Sequence, residues 1–336
     1  MTASSDIALV GCGAISEEFY LPAFARRRDG LARLWLVDPE PRRREAMATQ
    51  FGIPRERAVA GLDDLSDDVT VAFNATPSHL HLPTTLGMLK RGINVFLEKP
   101  LGETGAEAEQ IVASGGDLLI GVNQYRRLMP SFSAVKQRLE HGDLGRIRRI
   151  VWNEGNKFGW PAQSPFYFRR PWADGRPRGT LLDTGAHIID LLCWWLGGEL
   201  DVVDAQSDGY GGPEEFVFAH LARDGVTIEL TISMHARMAN RFLIEGDNGS
   251  IGGSVMDFRR IFLTAAGAPP RSTALRGSID RADIADQLID NFMAASAGEQ
   301  PLLIAAASVL PSLKTIDAIY RRMRSPLPGY YREWQA

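Results

Sequence analysis

The chain has 336 residues, 45% hydrophobic and 23% charged, with a formal net charge of −4. That length suits two domains and is enough to bury a core without disulfides or structural metals. The mild acidity, with no long basic run, argues against nucleic acid as a partner, and no stretch reaches the uninterrupted apolar length of a membrane span.

Taken in chain order, Asp6-Ile-Ala-Leu-Val10 reads as a short buried strand broken by Gly11-Cys12-Gly13, with a helix over 14–28. Residues 33–37 read as the next strand, ending at Asp38, and a helix follows over 40–51. Strands are expected at 69–73 and 93–97 with helix 78–91 between them, then helix 104–114 and strand 117–121. Strands alternating with helices predict a parallel, doubly wound Rossmann sheet over 1–122. The rhythm then changes. Helix 130–141, strand 147–154 and helix 181–196 precede strand-like runs at 201–209, 215–222, 226–234, 240–246 and 258–264. Turn signals at 224–225, 248–249 and 252–253 join them, which predicts an α+β domain over 123–336 with a mostly antiparallel sheet. Helices 281–297 and 303–324 close the chain and are expected to pack back on the first domain. The stripe Val309, Leu313, Ile316, Ile319, Met323 marks a core face. Arg26-Arg27-Arg28 and Arg42-Arg43-Arg44 read as solvated helix faces.

Cys12 and Cys193 lack metal-ligand spacing, so reduced thiols and no metal are expected. Residues 1–5 show no basic start before an apolar run, so a cytoplasmic protein is expected.

Gly11-Cys12-Gly13-Ala14-Ile15-Ser16 follows a strand and opens a helix. Glycines there permit a tight turn and close backbone approach to a pyrophosphate, aided by the helix N-terminus. Ser16 stands where a third glycine is usual, so the motif alone fits a plain turn equally well. Asp38, at the end of the second strand, has the position of a ribose-binding acid. A carboxylate there accepts from both ribose hydroxyls and repels a 2′-phosphate, favouring NAD over NADP. Its competing reading is a helix N-cap or turn acid before Pro39.

Two further segments follow strands where open α/β sheets bind ligands: Asn74-Ala75-Thr76-Pro77-Ser78-His79-Leu80-His81 and Glu98-Lys99-Pro100. Lys99 can donate to a hydroxyl or carbonyl oxygen, or be a surface charge; His79 and His81 can equally cap helix 78–91 or bond backbone. Farther on, Asp183, His187, Asp190 and Trp194 share an arc of about 60° on one helix. An acid one turn before a histidine orients the ring and stabilises its protonated form, and histidine suits removal of a hydroxyl proton as hydride leaves the same carbon. The alternative is a buried polar group holding the helix, the role expected of Asp190.

Together these pieces resemble the glucose–fructose oxidoreductase/inositol dehydrogenase (Gfo/Idh/MocA) family. They are Gly11-Cys12-Gly13, Asp38, Thr76-Pro77-Ser78 with His81, Glu98-Lys99-Pro100, Leu144-Gly145-Arg146-Ile147 and Asp183-Thr184-Gly185-Ala186-His187. The resemblance implies an open-faced C-terminal sheet used for contacts in a homodimer or homotetramer. It implies that Lys99, Asp183 and His187 are catalytic, with Lys99 on the reacting oxygen, His187 as acid/base and Asp183 positioning. It places Gly11, Cys12, Gly13, Ala14, Ile15, Asp38, Thr76, Pro77, His81, Glu98 and Lys99 at the NAD site, NADP being less favoured, and implies a cis Lys99–Pro100 bond. The activity implied is hydride transfer between nicotinamide and a secondary carbinol or ketone of a sugar, cyclitol or derivative. The alternatives are an NAD-recycling glycoside hydrolase or lyase and a non-catalytic NAD-binding regulator. This sequence departs from the family's pattern at Ser16, at Ser78, at Arg178 and in the length of 123–127 before Pro130, so no role is carried to Arg126 or Arg127.

The loop 156–179 holds Lys157, Trp160, Tyr167, Arg169, Arg170, Trp172, Arg176 and Arg178. Aromatics stack on sugar faces and arginines grip carboxylate or phosphate, so a substrate with an anionic appendage is one expectation and an ordinary surface loop the other.

Overall fold

The computed structural model describes residues 6–156, 175, 177–209 and 212–325. The chain separates into two compact units. One runs through Tyr125 and includes Asp280–Leu310; the other is Arg126–Ile279 together with the chain from Pro311 onward.

The first unit carries strands β1 (Asp6–Val10), β2 (Leu34–Val37), β3 (Ala58–Val59), β4 (Val69–Asn74), β5 (Asn94–Leu97) and β6 (Ile120–Val122). Their order is β3-β2-β1-β4-β5-β6 and every pairing is parallel. Because helices cover both faces of such a sheet, its strands are apolar almost throughout, as in Ile7–Val10 and Val95–Leu97, all buried. The strand order reverses between β1 and β4, which is where a doubly wound sheet opens a ligand crevice. Helices α1 (Leu21–Ala25), α2 (Pro41–Phe51), α3 (His81–Lys90) and α4 (Gly105–Ala113) make the connections. The helix expected over 14–28 stops at Ala25, and its middle, Ser16–Tyr20, is a π turn. Pro22 supplies the reason, since it has no N–H to return to residue 18 and its ring crowds that carbonyl.

The second unit carries α5 (Pro130–Glu140), β7 (Ile147–Gly155), α6 (Thr180–Leu196), β8 (Asp201–Ser207), β9 (Phe216–Arg223), β10 (Val226–Ser233), β11 (Arg241–Gly246), β12 (Gly249–Ser254), β13 (Arg260–Ala265) and β14 (Arg271–Ala274). The sheet order is β14-β13-β12-β11-β7-β10-β9-β8. Only the β7–β10 pair is parallel. Phe132 from α5, Trp152 from β7, Trp195 from α6 and Phe242 from β11 form its aromatic core, with ring centroids 5.5–6.0 Å apart.

Gly252-Gly253, expected as a turn, lies inside β12. Gly253 pairs with Phe242, and a Cβ at 253 would lie 2.6 Å from the Phe242 ring, so the glycine makes room for a core aromatic. Asp224-Gly225 does turn β9 into β10, with both residues at positive φ.

Two helices close the chain, α7 (Arg281–Ser296) and α8 (Ala306–Arg322). Within the first unit, Phe292 of α7 packs on Phe73 and Phe96 at 5.7 and 5.3 Å. The basic cluster at 26–28 is thereby only partly solvated: Arg26 pairs with Asp286, and Arg27 with Asp286 and Asp290. Among the described residues no helix is long and apolar enough to cross a membrane, and no group of three or more His, Cys, Asp or Glu is arranged to hold a metal.

Candidate active site

The glycine loop in the first unit stands on backbone geometry. Gly11 has φ 98°, and a Cβ on it would lie 2.7 Å from the Ala75 carbonyl oxygen. It must be glycine because the ends of β1 and β4 touch there. Gly13 is different: a Cβ there meets no atom within 4 Å. No protein packing demands this glycine, and its bare backbone leaves the loop open to a group approaching from outside. That is the role of the second glycine in a pyrophosphate-binding turn. Ser16, in place of a third glycine, is buried, and its hydroxyl donates to the Gly11 carbonyl at 2.5 Å. The hydroxyl that would burden an apolar helix–sheet contact thus has a partner. Ala14 is exposed and Ile15 half-buried at the start of the following helix.

Asp38 closes this cradle from the end of β2. One carboxylate oxygen accepts from the Cys12 N–H at 2.7 Å and the other from the Glu40 N–H at 2.9 Å. Each oxygen retains a lone pair for a ribose hydroxyl. Cys12, expected at the cofactor site, gives its amide to Asp38. Burial pushes the Cys12 thiol up to about 12, with Asp38 adding to the shift, so it is not a nucleophile at neutral pH.

Thr76 and the Lys99 strand end meet through histidine. His81 has Nδ1 2.7 Å from the Pro100 carbonyl and Nε2 2.8 Å from the Thr76 carbonyl. Its buried ring faces main chain on both sides, the backbone-bonding reading weighed for it beside the cofactor site. A neutral ring has one N–H to donate, so His81 ties down one of the two segments and lies against the other. Thr76 donates through its hydroxyl to Asn74 Oδ1 at 2.7 Å, and Ser78 to Glu103 at 2.7 Å. Pro77 is exposed.

Glu98 is likewise internal. Its Oε1 accepts from the Tyr20 hydroxyl at 2.6 Å and from Asn123 Nδ2 at 2.7 Å, and Oε2 from the Lys99 N–H at 3.3 Å. Burial raises its pKa, and Tyr20, Asn123 and Lys99 oppose the rise. Glu98 therefore supports Lys99 from within the fold. Lys99 itself is half-buried and precedes a cis peptide bond to Pro100. Tyr20 and Asn123 were not singled out from sequence; a polar residue next to an apolar strand end was the only signal for Asn123, and Tyr20 had none.

In the second unit, α6 presents Asp183 half-buried and His187 buried one turn later. Asp190 faces inward, where Arg127 grips it with two bonds of 2.8 and 2.6 Å and also lies over the Trp194 ring. This is the helix-anchoring role expected of Asp190, and it gives Arg127 the matching one. Arg126 grips Glu154 in the same bidentate manner at 2.8 and 2.7 Å. Arg178 is buried, with its guanidinium 4.3 Å from the Tyr320 ring, so it works inside the fold where substrate contact was one expectation. Lys157, Trp160, Tyr167, Arg169, Arg170, Trp172 and Arg176 lie outside the described residues.

Comparison with known proteins bears on both units. Residues 5–115 match the oxidoreductase family with an NAD-binding Rossmann fold, GFO_IDH_MocA, and residues 132–252 match the GFO/IDH/MocA C-terminal domain. The chain belongs to the Gfo/Idh/MocA family. Within that family it is 30% identical over 261 residues to a proposed UDP-kanosamine synthase oxidoreductase subunit of Amycolatopsis mediterranei. That match spans 73% of this chain and 66% of the relative. It is 26% identical to the 1,5-anhydro-D-fructose reductase of Ensifer adhaerens over 74% of this chain and 75% of the relative. The crystal structure of aldose–aldose oxidoreductase from Caulobacter crescentus superposes with a TM-score of 0.79, at 21% identity, over 95% of this chain and 97% of that one. The Gfo/Idh/MocA assignment identifies the first unit as an NAD-binding domain, and the open position at Gly13 with Asp38 beside it fits that cofactor.

Proposed function

We propose that this chain is an NAD-dependent oxidoreductase that transfers hydride between nicotinamide and a secondary carbinol or ketone of a sugar, cyclitol or sugar derivative. The observation that carries the proposal is the cradle in which Gly11 is forced by packing, Gly13 is left bare, and Asp38 ties the loop to the end of β2. The relatives named above act on sugars or sugar derivatives, which supports the substrate class.

In this reading Gly11, Gly13, Ala14 and Ile15 offer backbone to the pyrophosphate, and Asp38 accepts from the ribose hydroxyls. Its charge disfavours a 2′-phosphate, so NAD is preferred to NADP. NAD held there supplies the ring that accepts or returns the hydride. Lys99 donates a hydrogen bond to the reacting oxygen, its main-chain N–H held by Glu98. His187 takes the hydroxyl proton in oxidation and gives it back in reduction, and Asp183 orients substrate and imidazole. The chain would act as a cytoplasmic homodimer or homotetramer. Light scattering tests the oligomeric state.

The test is kinetic. His187→Ala and Lys99→Ala should each lower kcat roughly 100-fold or more while leaving NADH affinity within about threefold. Turnover that survives both substitutions overturns the site assignment.

A further inference from the structure

Helix α6 starts without a cap of its own. Its N-cap is Gly179, which has no side chain to satisfy the free N–H groups of the first turn. Those groups are met from another part of the second unit. Glu214, on the connection between β8 and β9, is buried, and its Oε1 accepts from the N–H of Gly179 and of Leu181, both at 3.0 Å. The Glu214 main-chain carbonyl accepts from the Thr180 N–H at 2.9 Å. One residue thus meets three consecutive N–H groups. Contact is so close that a Cβ on Gly179 would lie 2.0 Å from the Glu214 carbonyl oxygen.

The carboxylate is held in turn. The Tyr320 hydroxyl of α8 donates to the same Oε1 at 2.7 Å, and the Arg178 guanidinium covers the Tyr320 ring while lying 3.8 Å from Asp317. Asp208 fixes the connection itself by accepting from the N–H groups of Glu215 and Phe216, both at 2.9 Å. This is more apparatus than a surface cap requires. An exposed helix start is served by one serine, threonine or aspartate, or by water.

Asp183 is the first residue of α6 whose N–H bonds back along the helix, to the Gly179 carbonyl at 3.2 Å. Any fraying of this turn displaces Asp183 at once, and His187 sits one turn farther on. We propose that Glu214 is a positioning residue for the reaction: with Tyr320 it fixes the first turn of α6 and hence the direction in which Asp183 and His187 leave the helix. This rests on the proposed roles of Asp183 and His187.

The experiment uses full-length protein labelled with 13C-histidine, the His187 resonance being assigned by its loss in His187→Gln. In Glu214→Ala that resonance should shift and broaden, while NADH affinity by fluorescence stays within about twofold, because the change lies outside the NAD-binding unit. Glu214→Gln should restore most of the wild-type signal, since its amide oxygen accepts from the same two N–H groups. With a substrate from the screen described below, Glu214→Ala should lower kcat roughly 10- to 100-fold without changing the KM for NAD. If Glu214→Ala fails to fold, Tyr320→Phe should shift the same resonance to a smaller extent. A His187 signal that is sharp and unmoved in the folded variants, with only Tm lowered, overturns the proposal and leaves Glu214 a stabilising cap. Failure of the underlying reading is separate: it is shown by undiminished turnover in His187→Ala, whatever the resonance does.

Discussion

At the scale of single residues, the two glycines of the loop make opposite predictions. Gly11→Ala sets a side chain at φ 98° against the Ala75 carbonyl, and should cost roughly 1–3 kcal/mol of stability or more. Gly13→Ala meets no neighbouring atom, so Tm should hold while NADH affinity falls; unchanged affinity would remove Gly13 from the cofactor site. Asp38→Ala should narrow the preference for NAD over NADP. It should also lower Tm, because the carboxylate holds the Cys12 and Glu40 N–H groups, and an unchanged preference would take Asp38 out of the ribose site. His81 predicts a pH dependence. Burial pulls its imidazole down from 6.5 to about 4, against the two carbonyls that favour the protonated ring. The folded pKa is depressed, so the stability it confers is present above about pH 6.5 and is lost as pH falls through about 4. Between those values wild type should lose roughly 3 kcal/mol that His81→Gln does not lose. Denaturant titrations across that range decide it, and parallel curves would contradict it. These predictions divide along what sequence makes visible. Gly11 and Asp38 are legible because chain direction and backbone geometry dictate them locally. Glu98 and His81 were recognised as belonging to the site, but their inward orientation depends on Tyr20 and on the Thr76 and Pro100 carbonyls. Such partners are joined only by the fold, as with Tyr20 and Glu98, 78 positions apart.

At the scale of elements, hydrophobic rhythm located the Rossmann strands except the two-residue β3, and the strands of the second sheet except β12 and β14. It failed where one residue type carries two meanings. Gly252-Gly253 reads as a turn because glycine usually breaks strands, yet β12 uses Gly253 to admit the Phe242 ring. Gly253→Ala should therefore destabilise the protein by about 1–3 kcal/mol while leaving NADH affinity intact. A stability equal to wild type would show that Phe242 can move aside. The π turn at Ser16–Tyr20 was illegible for a related reason. Pro22 signals only that a helix is disturbed, whereas the turn delivers Tyr20 to Glu98. Tyr20→Phe leaves the buried Glu98 with one donor fewer, and should cost about 1–3 kcal/mol and lower kcat by loosening the Lys99 main chain. A loss of stability with kcat unchanged would confine Tyr20 to the core. Glu214 lies beyond any local pattern, since its partners are the start of α6 and a tyrosine 106 residues later.

At the scale of the whole molecule, the two-unit plan follows from the change of rhythm after residue 122. The return of 280–310 to the first unit follows from Phe292 completing the aromatic cluster of Phe73 and Phe96. Because NAD is assigned to that unit, saturating NADH should raise its melting temperature by mass action. The proposed chemistry is followed by NADH absorbance. The wild-type protein and His187→Ala are each assayed with NAD and with NADP against sugars, cyclitols, sugar acids, sugar phosphates and nucleotide sugars, and in reverse with the corresponding ketones. Wild type should turn over at least one of these with coupled cofactor, faster with NAD than with NADP, and His187→Ala should lose that turnover almost completely. Binding of NADH with no coupled oxidation or reduction of any of them, or turnover undiminished in His187→Ala, would contradict the proposed chemistry.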